Sequence, residues 1–345
     1  MLAINGHFKG QPVTGVQRYA REVTGRFKRM GQEFQWVDPP PGLESDALRQ
    51  LWMQLRMPAR VPGGALLWSP TNSGPVFHAR QVVTLHDLAD QLHPEWFSRR
   101  YSAWRSMILP PLLRRVRGII TISDYSRRTI LERYPFTEGK IEVIYNGVDS
   151  RHFRRRDEEE VGRMRRKLGL SKRYLVTVGS LDPRKNLNRL LDAWHRLPAR
   201  IREEYELVIA GASSDKFSFS LDRDPGERVR FTGYVDYDDL PALYSGASLF
   251  VYPSLFEGFG LPVLEAMACG TPVLTSDTTA LGELAGDKAV TVDPQHAGQL
   301  GDEMLRLLEA PGRRRELGEK GVAYASGFTW DETARKTLDF LDSCT

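Results

Sequence analysis

Short apolar runs, mostly β-branched or aromatic, recur along the whole chain, and segments with helical spacing separate them. In the first half they lie at residues 2–4, 66–68, 82–85, 119–122 and 141–144. In the second half they lie at 174–178, 207–210, 229–231, 249–252, 273–275 and 289–292. A short continuous apolar run is what a strand buried on both faces of a parallel sheet requires. Between the runs, residues 16–30 place Val16, Tyr19, Ala20, Val23 and Phe27 at three- and four-residue spacing, and 188–197 and 240–245 read similarly. Strand alternating with helix predicts an α/β architecture of βαβ units and doubly wound parallel sheets. A chain of 345 residues holds two such sets of about 160 residues. The expectation is therefore two Rossmann-like domains facing each other, with ligands beyond the carboxyl ends of the strands, in the cleft between them.

Charge divides along the same line. Residues 1–165 carry 26 Lys+Arg against 17 Asp+Glu, and residues 166–345 carry 22 against 27, so a net +9 and a net −5 make up the overall +4. Nucleic acid, phospholipid and phosphorylated substrates all suit a basic front half. No identifiable base-reading module interleaves with the arginines, which argues against nucleic acid. A hydrophobic share of 41% and a charged share of 27% exclude wholesale disorder. No window approaches 18 uncharged apolar residues, and the N-terminus lacks the apolar core of a secretory signal. Two cysteines, Cys269 and Cys344, make neither a disulfide framework nor a Cys-rich zinc site, so a reducing cytoplasm is the expected compartment. The charge run at 154–160 reads as a solvated linker or a helix start.

The stretch from Pro253 to Gly270 is the most informative. A strand ends at Pro253, a loop with Gly258 and Gly260 follows, Pro262 suits the first turn of a helix, and Gly270 suits its left-handed end. The two glycines let the backbone approach a ligand, and their amides precede a helix N-terminus. Glu257 lies just before that helix and Glu265 within it, both able to point toward the strand ends. A second segment, Val178-Gly179-Ser180-Leu181-Asp182-Pro183-Arg184-Lys185-Asn186-Leu187, joins a strand to a helix and sets two cations beside the strand ends. Such a pair stabilises negative charge developing on a phosphate leaving group.

The run from Glu257 through Glu265 to Val273 resembles the E-x7-E signature of family 4 of the retaining glycosyltransferases, which have the GT-B fold. The resemblance implies transfer of a sugar from a nucleotide donor with retention at the anomeric carbon. By the same resemblance, Arg184 and Lys185 stabilise the diphosphate, beside Gly179. Glu257 holds donor-sugar hydroxyls with the Gly258, Phe259, Gly260 and Leu261 backbone beside it, and Glu265 binds the ribose. Val235 lies where the family reads the base through backbone contacts. No protein nucleophile and no metal or other cofactor is implied, and the leaving phosphate deprotonates the acceptor on the same face.

Three front-half segments extend the resemblance. Thr14 and Gly15 occupy the family's glycine loop, with Thr14 replacing the first of its two glycines. His86, in Thr84-Leu85-His86-Asp87, matches a His that touches the donor sugar, and Asp87 is placed to orient its ring. Asn146-Gly147-Val148-Asp149 matches a turn ending the front domain, and Phe328-Thr329-Trp330 the start of a final helix that crosses back onto it. The implied division is 1–165, 166–327 and 328–345. Asp222-Arg223-Asp224 and Asp236-Tyr237-Asp238 suggest metal–nucleotide chemistry, but the second reads better as a polar helix start.

The sequence does not name the sugar. The bacterial polysaccharide mannosyl- and rhamnosyltransferases it resembles point to GDP-mannose, with a saccharide or polyprenyl-diphosphate-linked acceptor in polysaccharide or lipopolysaccharide synthesis. A GT-B-shaped sugar-nucleotide epimerase and an inactive partner subunit are the alternatives. Residues 96–117 hold six Arg, four aromatics and no acid, divided by Pro110 and Pro111. They read either as a helix pair packed on its domain or as a basic surface lying on the anionic inner face of a membrane.

Overall fold

The computed structural model describes all residues except 12–13, 44, 172, 213–220 and 223; Arg223 of the Asp222-Arg223-Asp224 run thus lies outside the described residues. The chain forms two compact units, Met1–Gly147 with Trp330–Thr345, and Val148–Thr329. Both are parallel six-stranded sheets wound with helices.

The first unit contains β1 (Leu2–Asn5), β2 (Phe34–Val37), β3 (Leu66–Ser69), β4 (Gln81–Thr84), β5 (Gly118–Thr121) and β6 (Ile141–Val143), in the order β2-β1-β3-β4-β5-β6. The direction of winding reverses between β1 and β3, as in flavodoxin-like sheets. Strands β1, β3, β4 and β5 are buried along their whole length, as their continuous apolar runs predicted. No apolar run in the sequence marks β2. Its Phe34-Gln35-Trp36-Val37 pairs only with β1 at the sheet edge, is largely accessible, and so has no uninterrupted apolar run.

Helix Gly15–Arg29 buries Tyr19 and Phe27 against Trp68 of β3. The final helix, Trp330–Ser343, packs on the same unit, with the Trp330 ring 6.2 Å from that of Tyr19. Gly118 lets it dock, since a Cβ there would lie 2.7 Å from Phe340 Cζ and 2.8 Å from Cys344 Sγ.

Residues 99–115 form one continuous helix rather than the pair expected from Pro110 and Pro111. Two adjacent prolines leave the carbonyls of Ser106 and Met107 without helical donors. Both residues are exposed, so water can satisfy those carbonyls.

The second unit contains β7 (Tyr174–Val178), β8 (Glu206–Ala210), β9 (Val229–Gly233), β10 (Leu249–Tyr252), β11 (Val273–Ser276) and β12 (Val290–Val292), in the order β12-β11-β10-β7-β8-β9. This is the dinucleotide-fold order 3-2-1-4-5-6, with its switch point between β7 and β10. Trp194, Leu190 and Leu191 of helix Leu187–Arg196 fill the core on one face. Cys269 is a small buried residue capping helix Leu261–Ala268, and both cysteines are free.

The units divide at Gly147/Val148 and Thr329/Trp330, not at 165 and 328. The charge run near the midpoint opens helix Glu158–Leu168, with Asp157 Oδ1 accepting the Glu160 amide at 2.9 Å. Three glutamates in its first turn and Arg165, Arg166 and Lys167 in its last complement the helix dipole. Val161 and Met164 are buried, which ties this segment to the second unit.

Candidate active site

The switch point of the second unit gathers the predicted cations and the first glutamate. The chain leaves β7 through Gly179 and makes a tight turn at Pro183–Lys185. It enters the next helix through Asn186, which takes the left-handed conformation (φ 57°) that asparagine tolerates. Asn186 Nδ2 donates to the carbonyls of Pro253 (3.1 Å) and Pro294 (2.6 Å). The Leu255 amide donates to Arg184 O at 2.7 Å, and the loops after β7 and β10 are thereby tied together.

Lys185 Nζ donates to Tyr252 Oη (2.7 Å) and forms an ion pair with Glu257 Oε1. Tyr252 Oη and Ser254 Oγ each donate to the same Oε1 at 2.9 Å. Every hydrogen bond to Glu257 falls on Oε1, and among the described residues no donor occupies Oε2. Burial alone would raise the Glu257 pKa, but the fields of Lys185 and Arg184 and the donors on Oε1 outweigh it and hold the carboxyl below its ordinary range. Gly179 admits the lysine, since a Cβ there would sit 3.3 Å from Lys185 Cε.

Arg184 is arranged differently from Lys185. Its Nε and Nη2 fork onto the two oxygens of the fully buried Asp182, at 3.1 and 3.0 Å, and Ser180 Oγ donates to Oδ2 at 2.7 Å. Gly260 has φ 107° and begins helix Leu261–Ala268; a Cβ there would lie 2.7 Å from Leu281 Cδ2. Phe259 is buried, its ring 6.3 Å from that of Phe328. Glu265 is buried within the helix and accepts from Tyr244 Oη at 3.2 Å. That bond ties it to helix Leu240–Ser245. Val235 is buried just beyond β9, where Gly233 (φ 69°) turns the chain.

In the first unit, Thr14 caps helix Gly15–Arg29, its amide donating to Gln17 Oε1 at 3.2 Å, so Gly15 opens that helix as expected. His86 follows β4 and is 3% exposed. Its Nε2 lies 2.9 Å from Pro70 O, and its amide donates to Asn72 Oδ1 at 2.6 Å. A carbonyl only accepts, so Nε2 carries the proton and Nδ1 remains the acceptor of a neutral ring. Burial pushes its pKa down to about 4 despite the opposing bond to Pro70. Pro70 thus fixes the ring, while Asp87 Oδ1 accepts the Ala89 amide at 3.0 Å.

A pH dependence follows from that burial. The unfolded chain binds a proton at His86 near pH 6.5 and the folded chain only near pH 4, so stability is full above about 6.5 and falls as pH drops toward 4. The loss is about 3 kcal/mol. Melting curves between pH 7.5 and 4 should show it, and His86→Gln should flatten the slope. An unchanged slope in the variant contradicts it.

Tyr252, Ser254, Asp182 and Tyr244, which the motifs do not single out, anchor the charged residues. The signal for Tyr252 was a hydroxyl at the carboxyl end of the otherwise apolar run Leu249-Phe250-Val251. Among the described residues no group of three His, Cys, Asp or Glu side chains is placed to hold a metal ion. Asp236 instead pairs with Lys167 at 2.9 Å, beside the start of helix Leu240–Ser245.

Residues 161–323 match the family described as "Glycosyl transferases group 1", and residues 62–152 match "Glycosyltransferase Family 4". The fold and these matches define a glycosyltransferase of the GT-B class. The O-antigen chain mannosyltransferase B of Escherichia coli is 29% identical, over 95% of this chain and 96% of its own. The O-antigen chain mannosyltransferase RfbU of Salmonella typhimurium is 28% identical, over 70% of this chain and 65% of its own. WaaG, a glycosyltransferase involved in lipopolysaccharide biosynthesis, shares the fold with a TM-score of 0.77 at 18% identity, over 99% of each chain. The chain belongs to the family-4 type of glycosyltransferase, as its E-x7-E run implied.

Proposed function

We propose that the protein transfers mannose from GDP-mannose, with retention, to a saccharide or polyprenyl-diphosphate-linked saccharide in bacterial polysaccharide or lipopolysaccharide synthesis. The observation that carries the transfer chemistry is the Lys185–Glu257 pair at the carboxyl ends of β7 and β10, a cation for a diphosphate beside a carboxylate for sugar hydroxyls. The choice of sugar rests on the two O-antigen mannosyltransferases among the relatives, which also disfavour the epimerase alternative.

In this reading the bond from the anomeric carbon to the diphosphate breaks, and its electron pair goes to the phosphate oxygen. Lys185 and Arg184 stabilise that charge, so no metal is needed. The acceptor oxygen bonds to the anomeric carbon on the same face, and its proton passes to the leaving phosphate. Glu257 Oε2 and the Gly258–Leu261 backbone hold the sugar, Glu265 the ribose, and Val235 the base. In the first unit, His86 Nδ1 is left as a hydrogen-bond acceptor for a hydroxyl, and Gly15 opens its helix as an anion-binding N-terminus would.

A thermal-shift panel of GDP, UDP, dTDP, ADP and CMP tests the donor class. GDP at about a hundred times its dissociation constant should add about 2.7 kcal/mol, a gain lost in Lys185→Ala. A shift with another nucleotide alone overturns GDP, and no shift with any overturns the transferase mechanism.

A cytoplasmic protein held at the inner membrane face is the matching location. Among the described residues no helix is long and apolar enough to cross a membrane. Helix Arg99–Arg115 exposes Arg99, Arg100, Tyr101, Met107, Arg114 and Arg115, whereas Arg105 is buried. Flotation with anionic liposomes at low salt should carry the protein, and Arg99→Glu/Arg100→Glu should weaken it. Absence of flotation removes the membrane from the proposal.

A further inference from the structure

Glu257 depends on more than its lysine. Among the described residues Lys185 is the only cation bonded to this carboxylate, yet a diphosphate bound at the switch point claims the same ammonium. Glu257 would then lose its ion-pair partner at the moment it must hold a sugar. Two hydroxyls remain on its Oε1. Tyr252 Oη accepts from Lys185 and donates to Glu257, so its proton has one orientation. Ser254 Oγ stands 2.9 Å from both Glu257 Oε1 and Arg184 O, and its single proton favours the charged acceptor.

Both hydroxyls sit on fixed backbone. Tyr252 is the last residue of β10 and is 2% exposed; Ser254 is fully buried, and Ser276 Oγ of β11 donates to its carbonyl at 2.6 Å. Neither depends on a long flexible side chain, and both donate to the same oxygen, Oε1.

We infer that Tyr252 and Ser254 are positioning residues that keep Glu257 Oε1 anchored when Lys185 passes to the donor's diphosphate, so that Oε2 stays turned out for the donor-sugar hydroxyls. The Lys185–Glu257 ion pair is the resting arrangement, exchanged when donor binds. This inference rests on the transferase reading above and names residues that the reading does not require.

The test compares the affinity of GDP-mannose with that of GDP, and of UDP-glucose with UDP, in the full chain, alongside melting temperature. In Tyr252→Phe and Ser254→Ala the sugar nucleotide should weaken by about 10-fold or more for each charged hydrogen bond lost, while the nucleoside diphosphate should change by less than about 2-fold, because Lys185 serves it directly. Ser254→Thr, which keeps the hydroxyl, should restore the ratio. The acid limb of the pH profile of kcat/KM should also move upward in Tyr252→Phe, because one donor that favours the Glu257 carboxylate is gone.

Sugar-nucleotide and diphosphate affinities that fall together, or an acid limb that stays in place, overturn the inference while leaving the transferase reading intact. If the wild-type chain binds neither member of either pair, the transferase reading fails instead. Should Tyr252→Phe fold poorly, Ser254→Ala against Ser254→Thr decides the matter alone.

Discussion

Lys185→Ala should lower kcat/KM by about 10²- to 10³-fold, the usual loss when one preorganised charge-stabilising donor is removed. The same change strands a carboxylate. The side chains of Lys185 and Glu257 are only 11% and 14% exposed, so breaking the pair leaves a largely buried charge. A loss of about 3–5 kcal/mol of stability is the upper range for such a break, reduced here because Tyr252 and Ser254 still donate to Glu257. The two effects separate in Lys185→Ala/Glu257→Gln, which removes the stranded charge. The double variant should recover most of the stability and none of the activity. Denaturant titration and initial rates on the folded fraction check both. Recovery of activity would contradict a role for Lys185 in charge stabilisation.

The second large effect lies in the first unit. Arg105 Nε pairs with Asp90 Oδ2 at 2.5 Å, both side chains 7% exposed, and Arg105 Nη1 donates to Asn72 O at 2.6 Å. Asn72 in turn accepts the His86 amide and holds a left-handed turn (φ 58°). Arg105→Ala should therefore cost about 3–5 kcal/mol by leaving Asp90 buried and unpaired. For a unit of this size that lowers its melting temperature by about 6–20 °C. Arg105→Met/Asp90→Leu, which replaces the pair with apolar volume, should lie within about 1 or 2 kcal/mol of wild type. An Arg105→Ala protein as stable as wild type would show that the pair is hydrated rather than buried.

This residue also shows where sequence reading reached its limit. Arg105 sits among six arginines with no acid nearby in sequence, so it reads as one more surface cation. Its partner lies fifteen residues earlier, on the short helix Ala89–Leu92, and only packing brings the two together. The edge strand Phe34–Val37 escaped for a related reason. It has one partner and little burial, its apolar residues are interrupted by Gln35, and its existence depends on β1 being there to pair with.

The buried strands were legible because a strand covered on both faces must be apolar throughout, whatever its neighbours; the accessible edge strands β6 and β9 were legible from their short β-branched runs. Gly260 and Gly179 were legible because each obeys a local rule at the end of a strand or the start of a helix, and Glu257 and Lys185 because the motifs that carry them resemble those of the family. The positive φ at Gly260 and the narrow space at Gly179 are demands of the backbone itself.

Sequence alone therefore determined the alternation of strand and helix, the parallel doubly wound sheets and the charged residues at their carboxyl ends. These follow from periodicity, turn chemistry and residue type, which act over a few neighbouring positions. Tertiary structure decided which strands adjoin and where the units divide. It turned Arg184 onto Asp182 but Lys185 onto Glu257, and set Glu265 against Tyr244. It also decided that His86 is neutral with its proton on Nε2. Those outcomes depend on burial and on partners tens of residues away, which no local pattern encodes.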